Sequence, residues 1–226
     1  MKMVLTLETL LPLPSKTQPI YTSRLFLRPF KWTDFDNFYK LRTTPEVMQW
    51  TSQGRIDDLV DQTKQWMSLF IYENDEVPRR NYNFAVFLRD EKSDVRDETR
   101  SEGDEKEGDF IGVCGLVCLT SPPISLLPSF GYMFVPEAWG KGYGTESVQG
   151  FRDAWWSTIR SGLDKYDNSS LSAPENGLGT LRAVTSKKNQ ASIKILQKSG
   201  WTMDDGYDDD SQKDIKWVLK TPKPYE

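Results

Sequence analysis

The sequence predicts an α/β fold of the layered, α+β kind: a mixed central sheet with helices on both faces. Three observations predict it. Short runs of alternating or continuous apolar residues are interleaved with segments of helical periodicity, and such elements bury their apolar faces only by packing in layers. One stretch, Phe130 to Glu146, passes from an apolar strand through a Pro break and a glycine-rich turn into a helix. The chain has 226 residues, 37% of them hydrophobic, enough to bury one good core.

The elements follow in order. Thr22-Ser23-Arg24-Leu25-Phe26-Leu27-Arg28-Pro29 alternates as a strand over 22–28. Helices are expected at 33–42, with Asp34 and Asp36 at its start, and at about 57–71. Strands at 83–88 and 110–118 flank an acidic loop, and the second is an apolar run from Phe110 to Cys118. The strand at 129–135 leads into a helix at 144–160, whose apolar positions include Val148, Phe151, Ala154 and Trp155. Leu181-Arg182-Ala183-Val184-Thr185 reads as a strand, and Asn189 to Ser199 as a helix capped by Asn189 and stopped by Gly200. Strands at 201–207 and 214–219 close the chain. Residues 1–19 are read as an N-terminal extension and 20–226 as a single domain. That domain carries an acidic insert at 89–109 and a polar insert at 161–179, the latter holding an Asn168-Ser169-Ser170 sequon.

Charge is concentrated in one place. The acidic insert holds ten acids and five bases, so removing its −5 from the whole-chain −4 leaves +1 for the remaining residues. Such a stretch is too polar to order itself by burial. No stripe of basic residues with interleaved aromatics suggests nucleic acid as a partner, and no run of about 18 apolar residues suggests a membrane span. The start, MKMVLTLETLLPLPSK, is too weakly apolar for a secretory signal, so the cytoplasm is expected, with the nucleus as the alternative. Cys114 and Cys118 are read as small buried groups. The chain has no histidine, which removes Ser-His and Cys-His chemistry and leaves no adequate ligand set for a metal.

The turn at Gly140, Gly142 and Gly144 precedes Thr145 and Glu146, which open the helix, so unpaired N–H groups at the helix start would face an anion. It is not a Walker loop, because no Lys-Ser or Lys-Thr pair follows the last glycine. It is not a dinucleotide fingerprint either. Thr145 stands where the third glycine belongs, and Asp164 and Asp167 lie in a polar loop.

Trp139-Gly140-Lys141-Gly142-Tyr143-Gly144 resembles the acetyl-CoA loop of the GNAT N-acetyltransferase superfamily, with Trp139 where that pattern carries Gln or Arg. The Asn189, Ser192, Gly200 and Trp201 series resembles a second motif of that family. The 22–29 strand looks like the opening strand of the branch that includes ribosomal-protein N-terminal (alanine) acetyltransferases. The resemblance spans about residues 20 to 220.

It implies a mostly antiparallel sheet whose fourth and fifth strands, 129–135 and 181–185, splay to admit acetyl-CoA as cosubstrate. It implies main-chain contacts from Met133, Phe134 and Val135 to the pantetheine arm, in the manner of an added strand. Trp139, Gly140, Lys141, Gly142, Tyr143, Gly144 and Thr145 would hold the pyrophosphate, and Asn189 would bond or position the pantetheine as well as cap its helix. Many members use a Tyr seven residues after that Asn as the acid, where this chain has Leu196, and a carboxylate where it has Ser129. Ser129, Thr185 and Ser192 are therefore the catalytic candidates, ordering a water that relays the proton. The expected partner is an amine, either a protein N-terminus or a small molecule, bound near 44–50 and 204–210 by a monomer or homodimer. The alternative is a non-catalytic acetyl-CoA-binding sensor or scaffold.

Overall fold

The computed structural model describes residues 7–89, 107–119, 127–165, 180–204 and 213–220. Its strands are β1 (Ile20–Tyr21), β2 (Leu25–Pro29), β3 (Tyr82–Arg89), β4 (Glu107–Cys118), β5 (Ser129–Phe134), β6 (Leu181–Ser186), β7 (Thr202–Met203) and β8 (Asp214–Leu219). The helices are α1 (Leu7–Leu10), α2 (Phe35–Arg42), α3 (Pro45–Met48), α4 (Val60–Ser68), α5 (Tyr143–Leu163) and α6 (Gln190–Lys198).

All eight strands form one sheet in the order β1-β2-β3-β4-β5-β6-β8-β7. Every neighbouring pair is antiparallel except β5 and β6, which run parallel and meet at a single register pair, Ser129 with Arg182. Beyond that pair the two strands diverge. The sheet is therefore mixed and mostly antiparallel, with a notch between the two strands expected to splay.

Alternation along the central strands divides the core between two faces, because successive side chains point to opposite sides. On β3, Tyr82, Phe84 and Val86 join a cluster with Phe130, Val148, Phe151, Trp155, Leu196, Trp201 and Trp217 beneath α5 and α6. Ala85 and Phe87 join a smaller cluster with Phe38, Leu41, Val47 and Met67 beneath α2, α3 and α4. Trp155 and Phe151 are essentially inaccessible to solvent, and each contributes about 1.5–3 kcal/mol by burial.

Two boundaries differ from the sequence reading. Residues 7–19 are drawn into the fold: Leu10 and Leu11 are buried, and α1 lies so close to α5 that a Cβ at Gly162 would stand 2.5 Å from the Leu10 carbonyl oxygen. The acidic stretch also gives residues to the sheet, since Arg89 ends β3 and Glu107, Gly108 and Asp109 begin β4. Residues 90–106, the sequon and the 205–210 turn lie outside the described residues. Cys114 is buried, as expected, whereas Cys118 is half-buried beyond a bulge that interrupts the β4–β5 register. No helix among the described residues is long and apolar enough to cross a membrane.

Candidate functional site

The site grows from β5 and the turn that follows it. In an antiparallel pair, residues alternate between those hydrogen-bonded to the partner strand and those whose main-chain groups point away from it. The Val135 N–H donates to Ile111 O at 2.9 Å, and Met133 lies opposite Val113 in the same phase. The main-chain groups of Met133 and Val135 are thus directed at β4. Those of Tyr132 and Phe134 face the opening towards β6, in phase with Pro128, whose carbonyl accepts from Arg182 N at 2.9 Å. The Trp139 indole N–H donates to Phe134 O at 2.8 Å. The Tyr132 carbonyl and the N–H groups of Tyr132 and Phe134 remain as the hydrogen-bonding surface of that edge.

After β5 a short 3-10 turn, Pro136–Ala138, begins with a proline whose fixed φ suits it. The chain then passes through Gly140 and Gly142 at φ 73° and 83°, a left-handed conformation that costs glycine little and side-chain-bearing residues more. Gly142 is the N-cap of α5 and provides no capping side chain, so the first N–H groups of α5 have neither a helical acceptor nor a cap. With 21 residues behind it, the helix presents a positive end at the mouth of the notch. Gly144 permits the close approach of α6, since a Cβ there would stand 2.8 Å from Ile195 Cδ1. Lys141 and Trp139 are exposed at this mouth. This cradle fits a diphosphate, whose oxygens take N–H donors without requiring side chains.

On the opposite wall Asn189 caps α6, its Oδ1 accepting from Ser192 N at 3.0 Å, a bond that leaves the amide NH₂ for other use. Ser192 is buried, and its Oγ lies 2.5 Å from the Tyr132 hydroxyl. The fold thus brings Asn189, Ser192 and β5 together across the notch. Burial pushes the Tyr132 phenol well above its ordinary range, against the smaller opposing pull of the Ser192 hydrogen bond, so it stays protonated at neutral pH. Thr185 and Tyr132 are each three residues beyond the Ser129–Arg182 pair on the diverging strands, but the Thr185 hydroxyl is buried and accepts from Trp217 Nε1 at 2.7 Å. Ser129 sits at the closed end, roughly 10 Å of strand from Tyr132.

Tyr132 was missed by the sequence reading. The available signal was a polar-tipped aromatic between Phe130 and Phe134 on an otherwise apolar face of the strand. Two surface grooves, of about 470 and 510 Å³, contain no residue of β5, β6 or the glycine turn. The first is lined by Pro45, Glu46 and Gln49, from the 44–50 segment expected to help select the amine, and by Gly54, Arg55 and Ile56 beyond it. Among the described residues no group of three or more His, Cys, Asp or Glu could hold a metal ion.

A family model described as acetyltransferase (GNAT) domain matches residues 24–202. No curated protein matches the chain in sequence. Solved structures similar to it include an acetyltransferase from Agrobacterium tumefaciens str. C58, 18% identical, with a TM-score of 0.59 over 90% of this chain and 95% of that one. RimL, a ribosomal L7/L12 alpha-N-protein acetyltransferase in complex with CoA, is 12% identical, with a TM-score of 0.58 over 90% and 98%. Spermidine N-acetyltransferase from Vibrio cholerae, in complex with CoA and spermine, is 12% identical, with a TM-score of 0.56 over 88% and 97%. At these identities the structural likeness carries the fold alone, whereas the family match covers most of the sequence, both motifs included. From that match and the splayed sheet that accompanies it, the chain belongs to the GNAT acetyltransferase family.

Proposed function

We propose that the protein is an acetyl-CoA-dependent N-acetyltransferase that transfers the acetyl group directly to a primary amine, a protein N-terminus or a small molecule. The observation that carries this reading is the notch: β5 and β6 meet only at Ser129 and Arg182, the uncapped end of α5 stands at its mouth, and the half-buried Tyr132–Ser192 hydroxyl pair stands beside it. Within the family, the 22–29 strand favours the branch of ribosomal-protein N-terminal acetyltransferases. RimL, among the similar structures, is consistent with that placement.

Acetyl-CoA supplies an acetyl thioester, and transfer to an amine releases a thiolate that must be protonated. Gly140 to Thr145 hold the pyrophosphate through main-chain N–H groups, with Lys141 adding positive charge. The Tyr132 and Phe134 edge binds the pantetheine arm as an added strand would, and Asn189 orients it from the α6 side. Ser192, backed by the protonated Tyr132, delivers the proton to the leaving sulfur, in place of the tyrosine that position 196 lacks. Ser129 and Thr185 order water at the closed end and the β6 wall, and that water takes the proton the amine loses as the amide bond forms and the thioester bond breaks. The acceptor approaches beside α3 and the loop to α4.

Calorimetric titration of acetyl-CoA into the full chain, with Gly142→Pro as the comparison, tests the donor half. Saturable binding that is lost in the variant supports it, and no binding by the native chain removes it. Turnover with N-terminal peptides or polyamines tests the rest. Binding without turnover on any amine leaves the sensor reading, which the apolar Leu196 at the usual acid position would favour.

A further inference from the structure

Thr22, Ser23 and Arg24, expected as the beginning of a strand, lie between β1 and β2 and reach the first turn of α5. Glu146 is the anchor. Its Oε1 accepts from Thr22 Oγ1 at 2.6 Å, Ser23 Oγ at 2.9 Å and the Arg24 N–H at 2.8 Å, while Oε2 accepts from Arg24 Nε at 2.7 Å. The Arg24 guanidinium lies 4.6 Å from the centre of the Tyr143 ring, and its NH1 donates to the Lys141 carbonyl at 3.1 Å. A Cβ at Gly142 would stand 3.3 Å from its NH2.

Two consequences follow from elementary chemistry. In a trans peptide the carbonyl of one residue and the N–H of the next point in opposite directions. A guanidinium holding Lys141 O from outside the turn therefore directs the Gly142 N–H to the inner side, where an anion would sit. Glu146 also places a carboxylate in the first turn, where it would repel a second anion, and the guanidinium against it cancels that charge.

We infer that Arg24 is a positioning residue for the diphosphate of the donor, holding the glycine turn in its anion-binding form and neutralising Glu146. The inference rests on the reading of that turn as the pyrophosphate cradle. It is tested on the full chain by titrating CoA and S-acetylpantetheine, which has the same arm without phosphates, into native protein, Arg24→Gln, Arg24→Lys and Arg24→Gln/Glu146→Gln. Arg24→Gln weakens CoA by about tenfold, the size expected when a charge-assisted hydrogen bond is removed, and leaves S-acetylpantetheine within about twofold. Arg24→Lys recovers part of the loss, because it restores charge without the planar fork. The double variant also recovers part, because the unneutralised carboxylate is gone. Equal losses for both ligands, unchanged CoA affinity in Arg24→Gln, or no recovery in the double variant would overturn the assignment. Failure of the native chain to bind CoA would instead overturn the cradle itself.

Discussion

The two faces of the sheet are closed by different forces. Beneath α5 and α6 the packing is apolar and heavily aromatic, with Phe151 stacked on Trp155 at 6.3 Å between ring centres and Phe130 on Trp201 at 5.2 Å. Beneath α2, α3 and α4 the apolar cluster is small, and ion pairs complete it, buried for Arg28–Asp34 and Arg42–Asp57 and partly exposed for Arg28–Glu107. Arg28, over the Phe87 ring, bonds Asp34 at 2.7 Å and Glu107 at 2.5 Å. Arg42 bonds Asp57 at 2.6 Å, with Gln53 and Thr63 satisfying the same carboxylate. Dispersion and burial are non-directional, so the first face is held by buried area and shape and not by particular polar partners. Ion pairs fix particular loops, here the 43–59 segment beside the first groove, and depend on every partner being present.

Truncation should separate the two. Trp155→Ala should cost the most, about 3–5 kcal/mol in denaturant unfolding, because it leaves a cavity in a fully buried site. Arg42→Met should cost about 3 kcal/mol or more by leaving Asp57 buried and unpaired. The double variant Arg42→Met/Asp57→Leu should regain most of that loss, and a double variant no more stable than the single one would contradict the distinction between the faces. Next in size, Tyr132→Phe should lower kcat by about tenfold to a hundredfold with little change in Tm, since general acid catalysis typically contributes at least that much and the ring is retained. An unchanged kcat would remove Tyr132 from proton delivery.

The smallest effect is on pH dependence. Asp57, despite burial that opposes ionisation, is held below the usual carboxylate range by hydrogen bonds from Arg42, Gln53 and Thr63; Glu107 is held low chiefly by Arg28. Folded-state values below unfolded ones mean that this stabilisation is fully present above the ordinary carboxylate range, about pH 4–4.5, and is lost as pH falls through the depressed values. Unfolding free energy measured between pH 7 and pH 3 should therefore fall on acidification. It should fall less steeply in Arg42→Met/Asp57→Leu. Parallel slopes would show that Asp57 contributes nothing to the acid limb.

Legibility followed the distance between interacting residues. The β5 strand, the glycine turn, the start of α5 and the capped α6 were readable because each signal is local: alternation, positive-φ glycines, an Asn cap, a terminal glycine. The short α1, α3 and β1 were not, because elements of two to four residues carry too little periodicity and exist through the surfaces they pack on. The resemblance indicated main-chain contacts from Met133, Phe134 and Val135. Which strand residues face the opening depends on register with β4, and that register presents Tyr132 and Phe134.

Composition and local pattern alone determined the layered fold, the absence of histidine and the place of the glycine turn between β5 and α5. Those properties depend on residue type and spacing within about thirty positions. Tertiary structure decided that Tyr132 meets Ser192 sixty residues away, that Arg24 reaches Glu146 over 122 residues, and that Glu107 leaves the acidic stretch to pair with Arg28. Such contacts depend on which distant strands and helices the sheet brings side by side. A hydrogen bond spans about 3 Å, and no periodicity in the chain encodes which distant side chains will come within that reach.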